Sequence, residues 1–314
     1  MAFSGTGTIW MNGRFVEWKD ATIHIATHAL HYGTGVFEGI RAYDVKGRGT
    51  SIFRLHEHMR RLWDSCRVYR MLPDHSLDQL TAAVVDTVRA NGFRACYIRP
   101  LVYRGYSQLG VNPLPSPVES AIIVWEWEAY LGADAVEKGV DVGVSSWTRM
   151  APNTFPALAK ATANYANSGL IKMQASMDGY AEGIALDESG MISEGSGQNL
   201  FLVRDGVIYT PTMASSILEG ITRSTVLQIA ADLGYEVRER VLPREFLYLA
   251  DEAFFCGTAV EVTPIRSVDR IPVGAGEVGP ITRAIQQRFF AILRGEAPDA
   301  HGWLTPVTTP VGAR

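Results

Sequence analysis

Residues 182–210 read EGIALDESGMISEGSGQNLFLVRDGVIYT. Two turn signals, Glu188-Ser189-Gly190 and Asp205-Gly206, interrupt short β-rich runs, so the stretch reads as successive hairpins. Just upstream lie a strand near Val140–Ser146, a proline-bearing loop and a helix from about Thr162. Downstream, helices are expected at Thr222–Leu233 and Pro280–Leu293. Strands and helices are therefore mixed without the regular βαβ alternation of a doubly wound sheet, and the fold class is α+β.

Toward the N-terminus the pattern begins with strand, Asn12-Gly13 turn and strand, because Asn-Gly readily takes the positive φ angles of a two-residue hairpin. A helix is predicted over Phe53–Met71. A second helix opens on the capping-box pattern Ser76-Leu77-Asp78-Gln79, presents Leu77, Leu80, Val84 and Val88 on one face, and closes at Asn91-Gly92. Strands follow at Ala95–Tyr103 and Ala121–Trp127, separated by the Pro/Gly-rich loop Gly110–Pro117. Leu131–Gly139 has the look of a domain connector. With 314 residues, two packed domains are expected: a smaller one at 1–131, a link at 132–138 and a larger one at 139–314.

The formal charge of -4 comes from interspersed acids and bases, which leaves no electrostatic footprint for nucleic acid. No run of eighteen apolar residues occurs and the first residues lack the order of a secretory signal, so a cytoplasmic protein with no membrane partner is expected. Cys66, Cys96 and Cys256 are few and widely spaced, which argues against a disulfide framework or a zinc knuckle.

Lysine is scarce: Lys19, Lys46, Lys138, Lys160 and Lys172 are all there are. Only Lys160 sits among small residues, in Pro156-Ala157-Leu158-Ala159-Lys160-Ala161-Thr162-Ala163, where partial burial would lower its pKa enough for a Schiff base. Tyr165 follows five residues later, and Glu194 stands after a strand in Ile192-Ser193-Glu194-Gly195. A pyridoxal cofactor needs an acid beside its ring nitrogen to remain an electron sink, and Glu194 suits that role. Leu218-Glu219-Gly220-Ile221-Thr222-Arg223 suits a phosphate: glycine permits close approach and the helix that follows offers unpaired N–H groups. Arg61 is a candidate for a charge-assisted contact to the same group, whereas Arg60 beside it is expected to face solvent. Taken singly, each has a commoner and plainer role as a surface lysine, a turn glutamate or an ordinary helix start.

Together the pieces resemble the fold-type-IV pyridoxal-phosphate aminotransferases, most closely the branched-chain amino-acid group, along essentially the whole chain. The resemblance runs through His28–Gly33, Val36-Phe37-Glu38-Gly39-Ile40-Arg41, Tyr97-Ile98-Arg99-Pro100, Gly110–Pro113, Asn164-Tyr165, Glu182–Asp187, Gly220–Arg223 and Gly257-Thr258-Ala259. It implies a two-domain fold like that of D-amino-acid aminotransferase, with a small N-terminal α/β domain and a larger, β-barrel-like C-terminal domain with helices. It implies pyridoxal 5'-phosphate on Lys160, with Tyr165 on the ring phenolate oxygen and Glu194 on the ring nitrogen. The phosphate would be held by Arg61, Leu218, Gly220, Ile221, Thr222 and Thr258. Phe37, Tyr97, Trp127 and Tyr130, joined by Tyr32 and Val111 of a neighbouring subunit, would wall an apolar pocket, while Gly39, Arg99, Thr258 and Ala259 would place carboxylates. The implied reaction moves amino groups from leucine, isoleucine and valine to 2-oxoglutarate in a homodimer with shared active sites, or a trimer of such dimers. No metal is implied.

Departures from the resemblance are Thr162-Ala163 after the lysine, Glu128, and Arg104 at the start of the Arg104–Val111 segment. Arg104 is expected to reach solvent. Had it pointed into the pocket, acidic or aromatic acceptors would be favoured. The rival readings are a D-amino-acid or (R)-amine aminotransferase, an aminodeoxychorismate lyase and a non-catalytic binding protein. A zinc site at His24, His28 and His31 lacks the carboxylates or the H-E-x-x-H pattern to complete it, so these are expected to be structural. His56 and His58 are expected on the helix surface or just behind a site. Gly33–Gly39 has the wrong spacing for a dinucleotide loop.

Overall fold

In the computed structural model, which describes residues 5–127, 131–132 and 134–307, the Asn12-Gly13 turn forms as its sequence demands. Both residues take positive φ, 47° and 89°, and the turn joins β1 (Thr8–Met11) to β2 (Arg14–Glu17) with Met11 opposite Arg14. A short helix α1 (His28–Tyr32) precedes β3 (Gly35–Phe37), β4 (Ile40–Val45) and β5 (Gly49–Phe53).

Helix α2 (Leu55–Val68) starts two residues later than predicted, because Phe53 ends β5 and Arg54 takes a left-handed φ of 54° that no right-handed helix accommodates. Leu55, Met59, Leu62 and Cys66 recur along its buried face. In α3 (Leu77–Asn91) the capping box is present: Gln79 N donates to Ser76 Oγ (3.2 Å) and Ser76 N to Gln79 Oε1 (2.8 Å). Strands β6 (Cys96–Arg104) and β7 (Val118–Trp125) pair antiparallel from Tyr97 opposite Trp125 to Arg104 opposite Val118.

The second half opens with α4 (Ala135–Lys138) inside the expected connector, then β8 (Val140–Val144), α5 (Asn164–Met177), β9 (Glu182–Leu186) and β10 (Ile192–Gly195). The Asp205-Gly206 turn, again with positive φ at both residues, joins β11 (Asn199–Arg204) to β12 (Val207–Thr210). Next come α6 (Ile221–Asp232), β13 (Val237–Glu239), α7 (Phe246–Leu249), β14 (Glu252–Gly257), β15 (Glu261–Val268), β16 (Ile271–Pro272) and α8 (Pro280–Arg294). The last strand, β17 (Leu304–Pro306), returns to lie beside β5.

Two compact units result. One comprises Met1–Trp127, Ala159–Ala163 and Ala291–Arg314; the other comprises Glu128–Leu158 and Asn164–Phe290. The first is built on an antiparallel sheet ordered β17-β5-β4-β6-β7-β1-β2, with β3 also on β6. Ile40, Ile52, Met59, Leu62, Val84 and Ile98 fill its core. The second is built on a mixed sheet ordered β10-β9-β8-β15-β14-β11-β12-β13, parallel at β9-β8-β15 and β12-β13. Ile184, Ile192, Leu200, Leu202, Phe255 and Ile265 form its core, each side chain contributing about 1.5–3 kcal/mol by leaving water. The class is α+β. No helix among the described residues is long and apolar enough to cross a membrane. Tyr130, Glu128 and part of the connector lie outside the described residues.

Candidate active site

In the first unit Lys160 is held by main-chain bonds along the edge of β3. Phe37 N donates to Lys160 O (3.0 Å), Thr162 N donates to Gly35 O (2.9 Å), and Ala161 bridges Val36. Lys160 N in turn donates to Ser65 Oγ (3.0 Å) on α2, whose hydroxyl donates to Arg61 O (2.8 Å). The small neighbours Ala159 and Ala161 are buried and Lys160 itself is half-buried. Its backbone is thus fixed while the amine lies 5.0 Å from the centre of the Phe37 ring.

Arg99 shares that ring, with its guanidinium carbon 4.6 Å from the Phe37 centre, and also approaches Tyr97 and Trp125. Its Nε is buried with no hydrogen-bond partner among the described residues. Tyr97 stacks on Trp127 at 4.3 Å and leans on Trp125 at 5.0 Å, giving an aromatic wall. Glycine at position 39 lets Tyr97 lie this close, since a Cβ there would stand 2.0 Å from Tyr97 Oη and displace the ring.

Behind Phe37, Glu38 is wholly buried and binds Arg61 side-on, accepting from Nε (2.7 Å) and Nη2 (2.9 Å). His58 Nδ1 is 2.6 Å from Glu38 Oε2 and donates to it. Burial alone would push the Glu38 carboxyl up, but the Arg61 charge and His58 outweigh it and hold the group well below the usual carboxylate range. Burial pulls His58 down, so its ring is neutral near pH 7 and Nδ1 carries the hydrogen.

In the second unit Glu194 lies where the β9–β10 register shifts, between Ile192 and Gly195, a bulge that re-aims side chains. Its Oε1 accepts from Arg149 Nη2 (2.8 Å); its Oε2 accepts from Asn199 Nδ2 (3.1 Å) and Leu218 N (3.1 Å). Arg149 is itself buried and donates through Nη1 to Asn167 Oδ1 (3.0 Å) and Ser168 Oγ (3.2 Å). A buried carboxylate with a buried arginine on it stays ionised. Asn199 also donates to Leu218 O (2.9 Å), and a Cβ on Gly220 would meet Asn199 Oδ1 at 1.9 Å. Gly220 leads into α6 with no side-chain cap, so the first N–H groups of that helix are open to an anion.

A model of the amino-transferase class IV family matches residues 35–268. A branched-chain-amino-acid aminotransferase of Salmonella typhimurium is 54% identical over 302 residues, 96% of this chain and 97% of that one. The chain belongs to the class IV aminotransferases. Among solved structures, a branched-chain amino acid aminotransferase of Escherichia coli superposes with a TM-score of 0.95 at 52% identity, covering 96% of this chain and all of that one. The branched-chain amino acid aminotransferase of Thermobaculum terrenum, solved in its PLP form, superposes with a TM-score of 0.90 at 38% identity, covering 97% and 99%.

Of the residues singled out from sequence, this class IV aminotransferase brings Phe37, Gly39, Arg61, Tyr97, Arg99, Trp127 and Lys160 into its first unit. Tyr165 at the start of α5, Glu194, Leu218, Gly220, Ile221, Thr222 and the half-buried turn residues Thr258 and Ala259 belong to the second. Tyr32 and Val111 are exposed, and Val111 is 87% so. Arg60 is exposed as expected. Arg104 is not: it is buried, because the strand runs one residue further than predicted and takes it inside, where carbonyls receive it. His58, expected on the helix surface or just behind a site, is buried in the Glu38 network. His28 bonds Thr34 Oγ1 (2.8 Å) and Gly110 O (2.7 Å), and His31 donates to Ile25 O (2.9 Å).

Sequence reasoning missed Arg149, Asn199 and the Glu38–His58 pair. Glu38 had a visible signal, a lone acid inside the buried run Gly35–Ile40. Asn199 had a fainter one, a polar residue heading an apolar strand. Arg149 had none, since it meets Glu194 only through the folded sheet.

Proposed function

We propose that this chain is a branched-chain amino-acid aminotransferase using pyridoxal 5'-phosphate, moving amino groups from leucine, isoleucine and valine to 2-oxoglutarate. The observation that carries the reading is Arg99 lying on an aromatic wall in the same unit as Lys160. Such a surface takes an isobutyl group by removing apolar area from water and still offers a cation for a second carboxylate. Tyr32 is the other host for that carboxylate.

The residues fit the cofactor. The ionised Glu194 suits a protonated ring nitrogen, and the uncapped start of α6 beside a glycine whose side-chain space is already filled suits a phosphate. Lys160 would hold the aldehyde carbon, Tyr165 the phenolate oxygen, and Arg61, Leu218, Gly220, Ile221, Thr222 and Thr258 the phosphate. When bound, the cofactor supplies an electron sink for the charge developing at the substrate Cα. Once the substrate's amino group displaces it from that carbon, the freed Lys160 Nζ would take the Cα proton of the amino acid and, in the return direction, deliver a proton to Cα of the 2-oxo acid. Gly39, Thr258 and Ala259 would orient the α-carboxylate, Trp127 would extend the apolar wall, the sequence-based assignment of Tyr130 to that wall falls outside the described residues, and Glu194 would keep the ring nitrogen's proton in place.

Exposed apolar side chains at Ile25, Leu30, Tyr106, Leu109 and Val111 support a second copy covering this face, with Tyr32 and Val111 reaching the neighbour's pocket in a homodimer or a trimer of dimers. A cytoplasmic biosynthetic role accompanies this reading.

Holoenzyme mixed with L-leucine, L-valine or L-glutamate should lose its visible absorbance within one half reaction, and D-alanine or (R)-1-phenylethylamine should leave it intact. Bleaching by the last two alone would replace the branched-chain reading with a D-amino-acid or (R)-amine one. Lys160→Ala should lower turnover by about 10²–10⁴-fold or more and remove the borohydride-trapped adduct. Retention of that adduct would assign the covalent attachment to another residue.

A further inference from the structure

The segment between β6 and β7 is pinned at three places. Gly105 N donates to Pro117 O across its neck (2.8 Å). On one limb His28 Nε2 donates to Gly110 O (2.7 Å), with Nδ1 left to accept from Thr34 Oγ1 (2.8 Å). On the other limb stands Arg104. Its Nη1 donates to Ser116 O (2.8 Å) and more weakly to Leu114 O (3.5 Å), and its Nη2 donates to Arg70 O (2.5 Å).

That arginine is only 5% exposed, and among the described residues its hydrogen bonds all go to main-chain carbonyls. A buried cation without a carboxylate is costly, so the arrangement calls for a geometric reason. Arg70 lies just past the C-terminal end of α2 in a left-handed conformation (φ 52°), where a cation is favoured by the helix dipole. The guanidinium fork therefore reaches two separate chain segments at once, the end of α2 and the far limb of the loop. A lysine amine, a single point charge, has no such span. What the loop presents is apolar and exposed: Leu109, Leu114 and, at 87%, Val111.

We propose that Arg104 is a positioning residue which fixes the Gly105–Pro117 loop to the end of the helix carrying Arg61, and thereby sets how Val111 meets substrate in a second copy of the chain. The second half of this statement rests on the proposed aminotransferase reading; the first half does not. Arg104 touches neither substrate nor cofactor.

The test is Arg104→Met with Arg104→Lys as the conservative variant. Hydrogen exchange on the holoenzyme without substrate should quicken about tenfold at residues 106–116 in Arg104→Met and stay unchanged in α3 and β14, because the hydrogen bonds removed are local. KM for L-leucine should rise about threefold to tenfold with kcat within about twofold, the pattern of lost uniform binding. Arg104→Lys should recover part of both and keeps the test alive should Arg104→Met not fold. Unchanged exchange at 106–116, or faster exchange spread evenly over the chain, would overturn the clamp. Faster loop exchange with an unmoved KM would overturn the role of Val111 alone, so the clamp and the functional reading fail separately.

Discussion

Glu38 and Glu194 are both buried glutamates bonded to arginine, yet the two units use the pair in opposite senses. In the first, the carboxylate is wholly buried and grips Arg61 side-on, with His58 on the same oxygen, so the acid fixes the cation. In the second, the cation is anchored from behind by Asn167 and Ser168 and delivers one N–H to Glu194, so the cation fixes the acid. The member held in place differs: an arginine suited to an anion in one unit, a carboxylate suited to a ring nitrogen in the other. The same ion pair therefore yields either polarity, depending on which partner the surrounding hydrogen bonds restrain.

Breaking the second pair should have the larger effect. Arg149→Met takes the guanidinium away from the buried Glu194 carboxylate, which should cost about 3–5 kcal/mol of stability, read as a lower urea midpoint at unchanged m-value. The same variant should raise the Glu194 carboxyl pKa, visible by carbon NMR of the apoenzyme, and a carboxyl that titrates as in the parent would refute the assignment of Arg149 as its restraint. Glu38→Gln should cost less, about 1.5–3 kcal/mol, because Arg61 retains a neutral acceptor and some access to water. Cofactor affinity should weaken in parallel if Arg61 is the cation being aimed.

The smallest effect concerns pH and separates the units, since His58 bonds Glu38 whereas Arg149, Asn199 and the Leu218 main chain bond Glu194. Burial holds the His58 pKa below its unfolded value, against the pull of Glu38 and aided by the Arg61 and Lys160 charges. The folded chain thus binds this proton less readily than the unfolded chain, and stability falls as pH drops below about 6.5. Glu38, held low, adds stability that is present above its unfolded value of about 4.3 and is lost only on further acidification. Urea midpoints measured from pH 7.5 to 5.5 should decline, and His58→Asn should flatten that slope; an equal slope in the variant would move the dependence to other groups.

Local signals carried much of the fold and of the site. The Asn12-Gly13 and Asp205-Gly206 turns and the Ser76 cap act through neighbours in the chain, and each formed where its residues demanded. Phe53 and Arg54 escaped because a strand pairing with β17, far away in sequence, outweighs the local helical periodicity. Arg104 escaped for the same reason: its carbonyl partners, Arg70 and Ser116, are supplied by other segments.

What the chain's own order of residues determined is the α+β alternation, the turns, the caps, and one lysine set among alanines, since all depend on propensity and spacing over a few residues. Only the tertiary structure decided which arginine meets Glu194, which carboxylate restrains Arg61, and that Arg104 lies inside. Those choices are made by strand register and helix docking, and they bring together groups that no local rule relates.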